Sequence, residues 1–355
     1  MKVETQKSIG LDHLKNFFLT PKNIVITTHH KPDADALGSS LAMFLYLSKL
    51  NHHVKVIVPS DYPSFLTWMP GNNCILNFEE SDSVKVKCEE FVSVADLIIC
   101  LDFSSVDRMN ELKHCVLNSG AKKLNIDHHL SPENFADFVY WNSQSSSTCE
   151  LIYTFIDLMG GKSLIDVNIG ECIYAGIMTD TGSFRFPSTS AEVHIIISEL
   201  IKLGVENSKI HKNVYDNSSE IRLRFTGYAI CNKLFVMYDY CTAFIVITKE
   251  ELKQYKSQTG DTEGLVNYAL SIEGIKFAAL MVERKDGVKI SFRSSGDFSV
   301  NEFANAHFEG GGHKNASGGK SNLGIDDTVK KFVDLLVQYP ELTIKTKIEN
   351  VSIGC

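Results

Sequence analysis

The feature that most constrains the fold is an alternation of short apolar runs with longer helical patterns between about residues 23 and 205. The apolar runs are nearly continuous, which is typical of parallel strands that are buried on both faces. We therefore predict an α/β domain built on a doubly wound, mostly parallel sheet. The expected strands are residues 23–28, 53–58, 96–101 and 122–126, and the expected helices are residues 35–50, 147–160, 168–180 and 190–204.

The pattern changes after residue 205, where a polar stretch is expected to contain the connection to a second domain. Apolar strands return later in the chain, and a glycine-rich segment at 309–319 is expected to be a loop. We predict a catalytic metal-binding domain at 1–205, a linker at 206–225 and a smaller α+β substrate-binding domain at 226–355, with the active site in the cleft between the domains. The expected strands of the second domain are residues 242–248, 276–284 and 287–295.

The charge and the cysteines narrow the functional classes. The formal net charge of -8 argues against a protein that coats nucleic acid, although one cleft can still bind phosphate. The nine cysteines form no CxxC pair, which indicates a reduced, cytoplasmic chain. No stretch approaches the roughly 20 apolar residues of a membrane span, and the N-terminus lacks a signal-peptide core, so we expect no membrane association.

Carboxylates and imidazoles follow three of the predicted strands. Because the carboxyl ends of parallel strands share one edge of the sheet, we expect these groups to lie close together. A further carboxylate ends the apolar helix at 168–180. The candidate ligands are His29, Asp33, Asp35, Asp102, His128, His129 and Asp180.

Crowded carboxylates repel one another unless cations lie between them. Mixed oxygen and nitrogen ligands suit two divalent metals and favour Mn²⁺, with Mg²⁺, Co²⁺ or Zn²⁺ as alternatives. Taken singly, Asp35 could be a helix cap and Asp33 a turn residue, but the joint arrangement favours a metal site. Five other histidines are not grouped with candidate ligands in this way and are expected to be solvated or packing residues: His52, His53, His114, His194 and His211.

A second constellation lies in the glycine-rich segment. Gly310, Gly311 and Gly312 precede His313, and consecutive glycines let backbone N–H groups approach a phosphate. The alternative is a flexible turn. Arg293, at a strand end, could bind phosphate or stack on a base, and its alternative is an exposed arginine without a ligand.

Five motifs in this order, "HHKPDAD" (29–35), Asp102, "DHH" (127–129), Asp180 and "GGGH" (310–313), resemble the DHH phosphoesterases that carry a DHH-associated C-terminal domain. Size and layout are similar to the nano-RNase branch, the oligoribonucleases and 3′-phosphoadenosine-5′-phosphate phosphatases. The resemblance implies two Mn²⁺ ions, one bound by His29, Asp33 and Asp102 and the other by Asp35, Asp102, His128 and Asp180. It implies that Asp102 bridges the metals and that the catalytic His129 faces the phosphate. It also implies that Arg293 and the Gly310–His313 loop hold the substrate.

The expected function is an Mn²⁺-dependent phosphoesterase, of either cleavage polarity, that degrades short oligonucleotides to mononucleotides and dephosphorylates 3′-phosphoadenosine-5′-phosphate. Its partners would be short single-stranded RNA or DNA and phosphorylated nucleotides, and the chain would be a monomer or homodimer. Alternatives within the family are hydrolysis of linear or cyclic dinucleotide messengers, pyrophosphate or polyphosphate. The non-enzymatic alternative is a nucleotide-binding module without catalysis. The ligands for a second metal argue against it, because a module that only binds would not need that metal.

Overall fold

The computed structural model describes residues 6–343, which fall into two compact units that divide between Ser218 and Ser219. Within the described residues, no helix is both long enough and apolar enough to cross a lipid bilayer.

The N-terminal unit is an α/β domain, as the sequence predicts. Its strands are β1 (Gln6–Ile9), β2 (Asn23–Thr27), β3 (His53–Val58), β4 (Ile75–Asn77), β5 (Leu97–Leu101), β6 (Lys122–Asp127) and β7 (Phe138–Asn142). Its helices are α1 (Leu11–Phe17), α2 (Ala34–Lys49), α3 (Asp82–Ser93), α4 (Leu112–Asn118), α5 (Thr148–Leu158), α6 (Val167–Asp180), α7 (Ala191–Lys202) and α8 (Asn207–Tyr215).

The seven strands form one sheet in the order β1-β7-β6-β5-β2-β3-β4. All neighbouring pairs are parallel except β1 and β7. After β4 the chain returns to the other side of β2 and adds β5, so the strand order reverses between β2 and β5. In open α/β sheets, ligands bind at the carboxyl ends of the strands beside such a switch point.

Alternate side chains of the central strands pack on opposite faces of this sheet. Ile24 and Ile26 of β2 belong to the larger core, which α1, α2, α5, α6, α7 and α8 cover. Val25 faces the smaller core, which α3 and α4 cover. The near-continuous apolar runs in the sequence therefore reflect strands with helices on both faces.

The C-terminal unit is a mixed sheet with helices on both faces. Its strands are β8 (Leu234–Met237), β9 (Thr242–Ile247), β10 (Phe277–Arg284), β11 (Gly287–Ser294), β12 (Gly311–His313) and β13 (Ala316–Ser321), in the order β12-β13-β11-β10-β9-β8. Its helices are α9 (Glu220–Lys233), α10 (Lys249–Gln254), α11 (Leu265–Leu270), α12 (Val300–His307) and α13 (Ile325–Leu336). Helices α12 and α13 pack on one face, and α9 and α11 pack on the other.

The division between the units falls between Ser218 and Ser219, which is inside the segment expected as a linker. That segment, 206–225, is mostly helical, because it holds α8 and the first six residues of α9. Helix α8 belongs to the N-terminal unit because Ile210 and Val214 are buried in its larger core. The Lys209 ammonium also donates to the buried Glu171 carboxylate of α6 at 2.7 Å.

The prediction of a loop at 309–319 is wrong, because β12 and β13 form an antiparallel hairpin there. The glycines allow the two strands to approach closely. A Cβ at Gly310 would lie 2.2 Å from the Gly318 carbonyl oxygen, and one at Gly312 would lie 2.7 Å from the Ala316 oxygen. The Gly312 N–H donates to Asn301 Oδ1 at 2.9 Å, so this amide is already used within the unit.

Candidate metal centre

The candidate ligands of the N-terminal unit meet at the carboxyl edge of its sheet. His29 follows β2, Asp102 follows β5 and His128 follows β6. Asp33 is the N-cap of α2, and its Oδ1 accepts from the N–H groups of Asp35 and Ala36, both at 3.1 Å. This cap places Asp35 in the first turn of α2, where its side chain is buried.

A first ligand group consists of His29, Asp33 and Asp102. His29 Nε2 lies 3.5 Å from Asp102 Oδ2 and 3.9 Å from Asp33 Oδ2. The Nδ1–H of His29 is 3.0 Å from the His30 carbonyl oxygen, to which it can donate. That bond leaves Nε2 as the atom available to a metal.

A second ligand group consists of Asp35, Asp102 and His128. His128 Nε2 lies 3.4 Å from Asp102 Oδ1, 3.7 Å from Asp35 Oδ2 and 3.3 Å from Asp180 Oδ2. His128 Nδ1 faces the Ser145 carbonyl oxygen at 3.2 Å, so its Nε2 also points to the carboxylates. Asp180, the last residue of α6, thus joins this group.

Asp102 is common to both groups, and its two oxygens face different histidines. Its backbone is left-handed, with φ of 67°, a conformation that aspartate tolerates better than most residues. The Asp102 N–H nevertheless donates to the Ile126 carbonyl at 3.1 Å, which continues the β5–β6 pairing. Such strain commonly persists at functional sites because the surrounding structure enforces it.

Negative charge is concentrated in this site. Burial raises the pKa of Asp35, and the charges of Asp102 and Asp180 raise it further. Burial opposes ionisation of Asp102, but hydrogen bonds with His128 and His29 hold its pKa well below the usual range. Burial disfavours charge on His128, but its bonds to Asp102 and Asp180 raise its pKa well above the usual value.

The donor set fits divalent cations. Buried carboxylates that would otherwise repel one another face the Nε2 atoms of two imidazole rings. The Nδ1 atom of each ring faces a backbone carbonyl group, which orients the ring. The nearby Cys149 belongs to neither ligand group. Its thiol donates to the Asp35 carbonyl oxygen at 3.6 Å. The acidic and histidine groups could therefore hold metal ions bound by oxygen and nitrogen.

The start of helix α5 supports the carboxylates, a role that we did not predict from the sequence. The N–H groups of Thr148 and Cys149 donate to the two oxygens of Asp35 at 2.7 and 2.8 Å. The Thr148 hydroxyl donates to Asp102 Oδ1 at 2.8 Å. The N-cap Ser147 marks the helix start in the sequence. No local signal, however, indicates that this helix start contacts Asp102 and Asp35, which lie 46 and 114 positions before their partners in the chain.

The second histidine of the "DHH" motif is held differently from the first. His129 Nδ1 lies 2.8 Å from Asp127 Oδ1, which also accepts from the His129 backbone N–H at 3.2 Å. Asp127 is fully buried at the end of β6. The sequence pattern gave Asp127 no role separate from the motif, and the structure identifies it as the residue that orients His129.

The predicted substrate residues lie together in the C-terminal unit. Arg293 of β11 and His313 of β12 both pair with Ala316 of the intervening strand β13. The two side chains therefore lie on one face of the sheet. Arg293 Nη1 donates to the Phe292 carbonyl at 2.9 Å. Their role toward a substrate stays a prediction.

The fold and the ligand groups define an α/β protein with a histidine–carboxylate centre at the switch point of a parallel sheet. Residues 23–177 match the model of the DHH family N-terminal domain, and residues 238–340 match that of the DHHA1 domain. The chain belongs to the DHH family and carries a DHHA1 domain, which confirms the resemblance seen in the sequence.

Relatives match over most of the chain. The bifunctional oligoribonuclease and PAP phosphatase NrnA of Bacillus subtilis is 28% identical over 298 residues, which are 83% of this chain and 88% of that protein. The protein of the same name from Thermus thermophilus is 27% identical over 312 residues, 88% of each chain.

Solved structures share the fold. The exopolyphosphatase-related protein of Bacteroides fragilis is 41% identical, with a TM-score of 0.87, and the match covers 94% of this chain and 97% of that one. RecJ of Thermus thermophilus, solved in complex with Mn²⁺, is 12% identical with a TM-score of 0.51 over 93% of this chain and 54% of RecJ. RecJ supports the fold alone.

Proposed function

We propose that this chain is a phosphohydrolase with two divalent metals that degrades short oligonucleotides to mononucleotides and removes the 3′-phosphate of 3′-phosphoadenosine-5′-phosphate. The observation that carries the proposal is the position of Asp102, whose oxygens face two ligand groups at once. The names of the Bacillus and Thermus relatives support the two substrate classes.

In this proposal, His29, Asp33 and Asp102 hold one cation, and Asp35, Asp102, His128 and Asp180 hold the other. Mn²⁺ is the proposed metal, with Mg²⁺, Co²⁺ or Zn²⁺ as alternatives. When bound, a pair of such cations supplies Lewis-acid stabilisation of the phosphoryl oxygens and makes water a stronger nucleophile near neutral pH. The carboxylates orient the site, and Thr148 and Cys149 hold two of those carboxylates in place.

His129 is the proposed general acid. The Asp127 carboxylate holds its Nδ1, so its Nε2 is the nitrogen that can donate a proton to a phosphate oxygen or to the leaving group. We assign substrate binding in the C-terminal unit to Arg293 and to Gly310, Gly311, Gly312 and His313. Strand β13 fills the space beside Gly310 and Gly312, so close approach of a substrate phosphate to the backbone is proposed at Gly311.

A second candidate is hydrolysis of pyrophosphate or polyphosphate. The Bacteroides fragilis relative favours it, because that protein is described as exopolyphosphatase-related. This reaction would use the same metal groups and the same nucleophile, but it would need no recognition of a nucleoside.

A substrate panel with Mn²⁺ tests both candidates. It contains RNA of graded length, 3′-phosphoadenosine-5′-phosphate, linear and cyclic di-AMP, pyrophosphate and polyphosphate, each with a chelator control. Release of mononucleotides from di- to pentanucleotides and of phosphate from 3′-phosphoadenosine-5′-phosphate supports the main proposal. Turnover confined to pyrophosphate or polyphosphate would replace it with the second candidate.

A further inference from the structure

The turn that follows Asp180 has an unusual backbone. Gly182, Ser183 and Phe184 all have left-handed conformations, with φ of 57°, 61° and 65°. A bulky residue such as Phe184 rarely adopts this conformation. The turn is enforced by Thr181, whose hydroxyl accepts from the Phe184 N–H at 3.0 Å and whose carbonyl accepts from the Arg185 N–H at 2.9 Å.

This turn presents an arginine five residues after the metal ligand Asp180. The Arg185 side chain is exposed, and its Nε–H donates to the Gly182 carbonyl at 2.7 Å, which fixes the base of the guanidinium. Within residues 6–343, neither Nη group of Arg185 donates a hydrogen bond to the protein. A fixed guanidinium with a free outer edge suits bidentate binding of a phosphate.

Helix α8 adds two aromatic rings next to the turn. His211 Nε2 lies 3.2 Å from the Ser183 hydroxyl oxygen. Tyr215, one helical turn later, has its ring centroid 4.8 Å from that of His211 at an angle of 52°. Tyr215 is 42% exposed, so part of its ring is open to a ligand.

Helix α8 is anchored, so the rings are held in place. Ile210 and Val214 are buried in the core, and Lys209 bonds to the buried Glu171. The cluster is close to the metal ligand Asp180 along the chain, because Ser183, which contacts His211, follows Asp180 by three residues. Burial raises the pKa of Tyr215, Arg185 lowers it and Asp180 raises it, so both charged groups lie within electrostatic range of the phenol.

We propose that Tyr215, Arg185 and His211 form a nucleotide-recognition platform beside the metal centre, in which Tyr215 stacks on a base and Arg185 binds a phosphate that is not cleaved. His211 packs against Tyr215 at a tilt of 52° and helps to hold the tyrosine ring in position. The proposal rests on the proposed function, because it names how that site recognises a nucleotide. An aromatic ring stacks on any base, so the platform recognises nucleotides without a sequence preference.

Equilibrium binding tests the platform without turnover. Binding of 5′-AMP and of ribose 5-phosphate, which lacks only the base, is measured by calorimetry with Mn²⁺ present. Tyr215→Ala should weaken 5′-AMP binding roughly 5- to 150-fold, the range for loss of one stacked base, and leave ribose 5-phosphate unchanged. Tyr215→Phe should bind both ligands as the wild type does. Tyr268→Ala removes a tyrosine of the C-terminal unit that is 52% exposed and serves as the matched control.

Arg185→Gln should weaken binding of 5′-AMP and of ribose 5-phosphate by a similar factor, roughly 10-fold or more, because both ligands carry the phosphate. Equal affinity of wild type and Tyr215→Ala for 5′-AMP would overturn the platform. An equal loss of affinity for 5′-AMP and ribose 5-phosphate in Tyr215→Ala would overturn it as well. Thermal melting of each variant separates loss of binding from loss of fold. Dinucleotide hydrolysis by the wild type tests the proposed function separately, so a base-dependent binding effect without hydrolysis would support the platform and refute that function.

Discussion

The hydroxyl of Thr148 should control metal affinity although it is not a proposed ligand. It donates to Asp102 Oδ1 at 2.8 Å, and both residues are almost completely buried, with 0% and 2% exposure. Thr148→Val keeps the shape and the backbone bond to Asp35 but removes the donor. A hydrogen bond to a charged group contributes about 1.5–3 kcal/mol, so the variant should lose stability of this order.

The larger effect should be on metal binding. With the hydroxyl gone, the Asp102 carboxylate can rotate away from the position in which each oxygen faces one ligand group. Loss of such a supporting partner typically lowers metal affinity roughly 10- to 100-fold. Calorimetric titration of the metal-free protein with Mn²⁺ measures this loss directly.

Two variants make the Thr148 experiment specific. Thr148→Ser retains the donor and should restore affinity to near the wild-type value. Thr154→Val, on the same helix, removes a hydroxyl that contacts Tyr140 and the helix backbone and should leave metal binding unchanged. Wild-type affinity in Thr148→Val, or a serine variant as weak as the valine variant, would refute the reasoning.

Two further predictions concern catalysis and substrate binding. His129→Ala should lower kcat roughly 10²- to 10⁴-fold with metal content unchanged, while His128→Ala should lose metal; equal metal loss by elemental analysis would reject this division of the pair. Arg293→Ala should lower kcat/KM for a dinucleotide roughly 10- to 150-fold, mainly through KM, and have a smaller effect on a nitrophenyl phosphodiester. Steady-state kinetics check this, and equal small effects on both substrates would leave Arg293 without a role in binding.

The sequence predicts the N-terminal sheet well because buried parallel strands leave a strong local pattern. The predicted strands at β2, β3, β5 and β6 agree with the structure to within about a residue at each end. Since their carboxyl ends share one edge, the gathering of His29, Asp102 and His128 could also be predicted.

Contacts between distant segments could not be predicted in this way. The bonds from Thr148 to Asp35 and Asp102 depend on how α5 packs in the folded domain, which periodicity does not reveal. The glycines at 310–312 suggested a loop because glycine content is typical of turns, whereas here it allows two strands to approach. His211, expected to be solvated or packing, lies against the turn after Asp180 only because α8 folds onto α6.

The central claim is that Asp102 belongs to two metal sites, and metal stoichiometry tests it most directly. Asp102→Asn keeps the shape of the side chain and tolerates the left-handed backbone, and Asp102→Ala removes the ligand altogether. Asp107→Ala, at a position whose side chain is 76% exposed, is the matched control. Elemental analysis after Mn²⁺ loading and dialysis should give two ions per chain for the wild type and the control, and close to none for Asp102→Ala, which should also be inactive on every substrate. Two ions retained by Asp102→Ala, or a single ion in the wild type, would contradict the account.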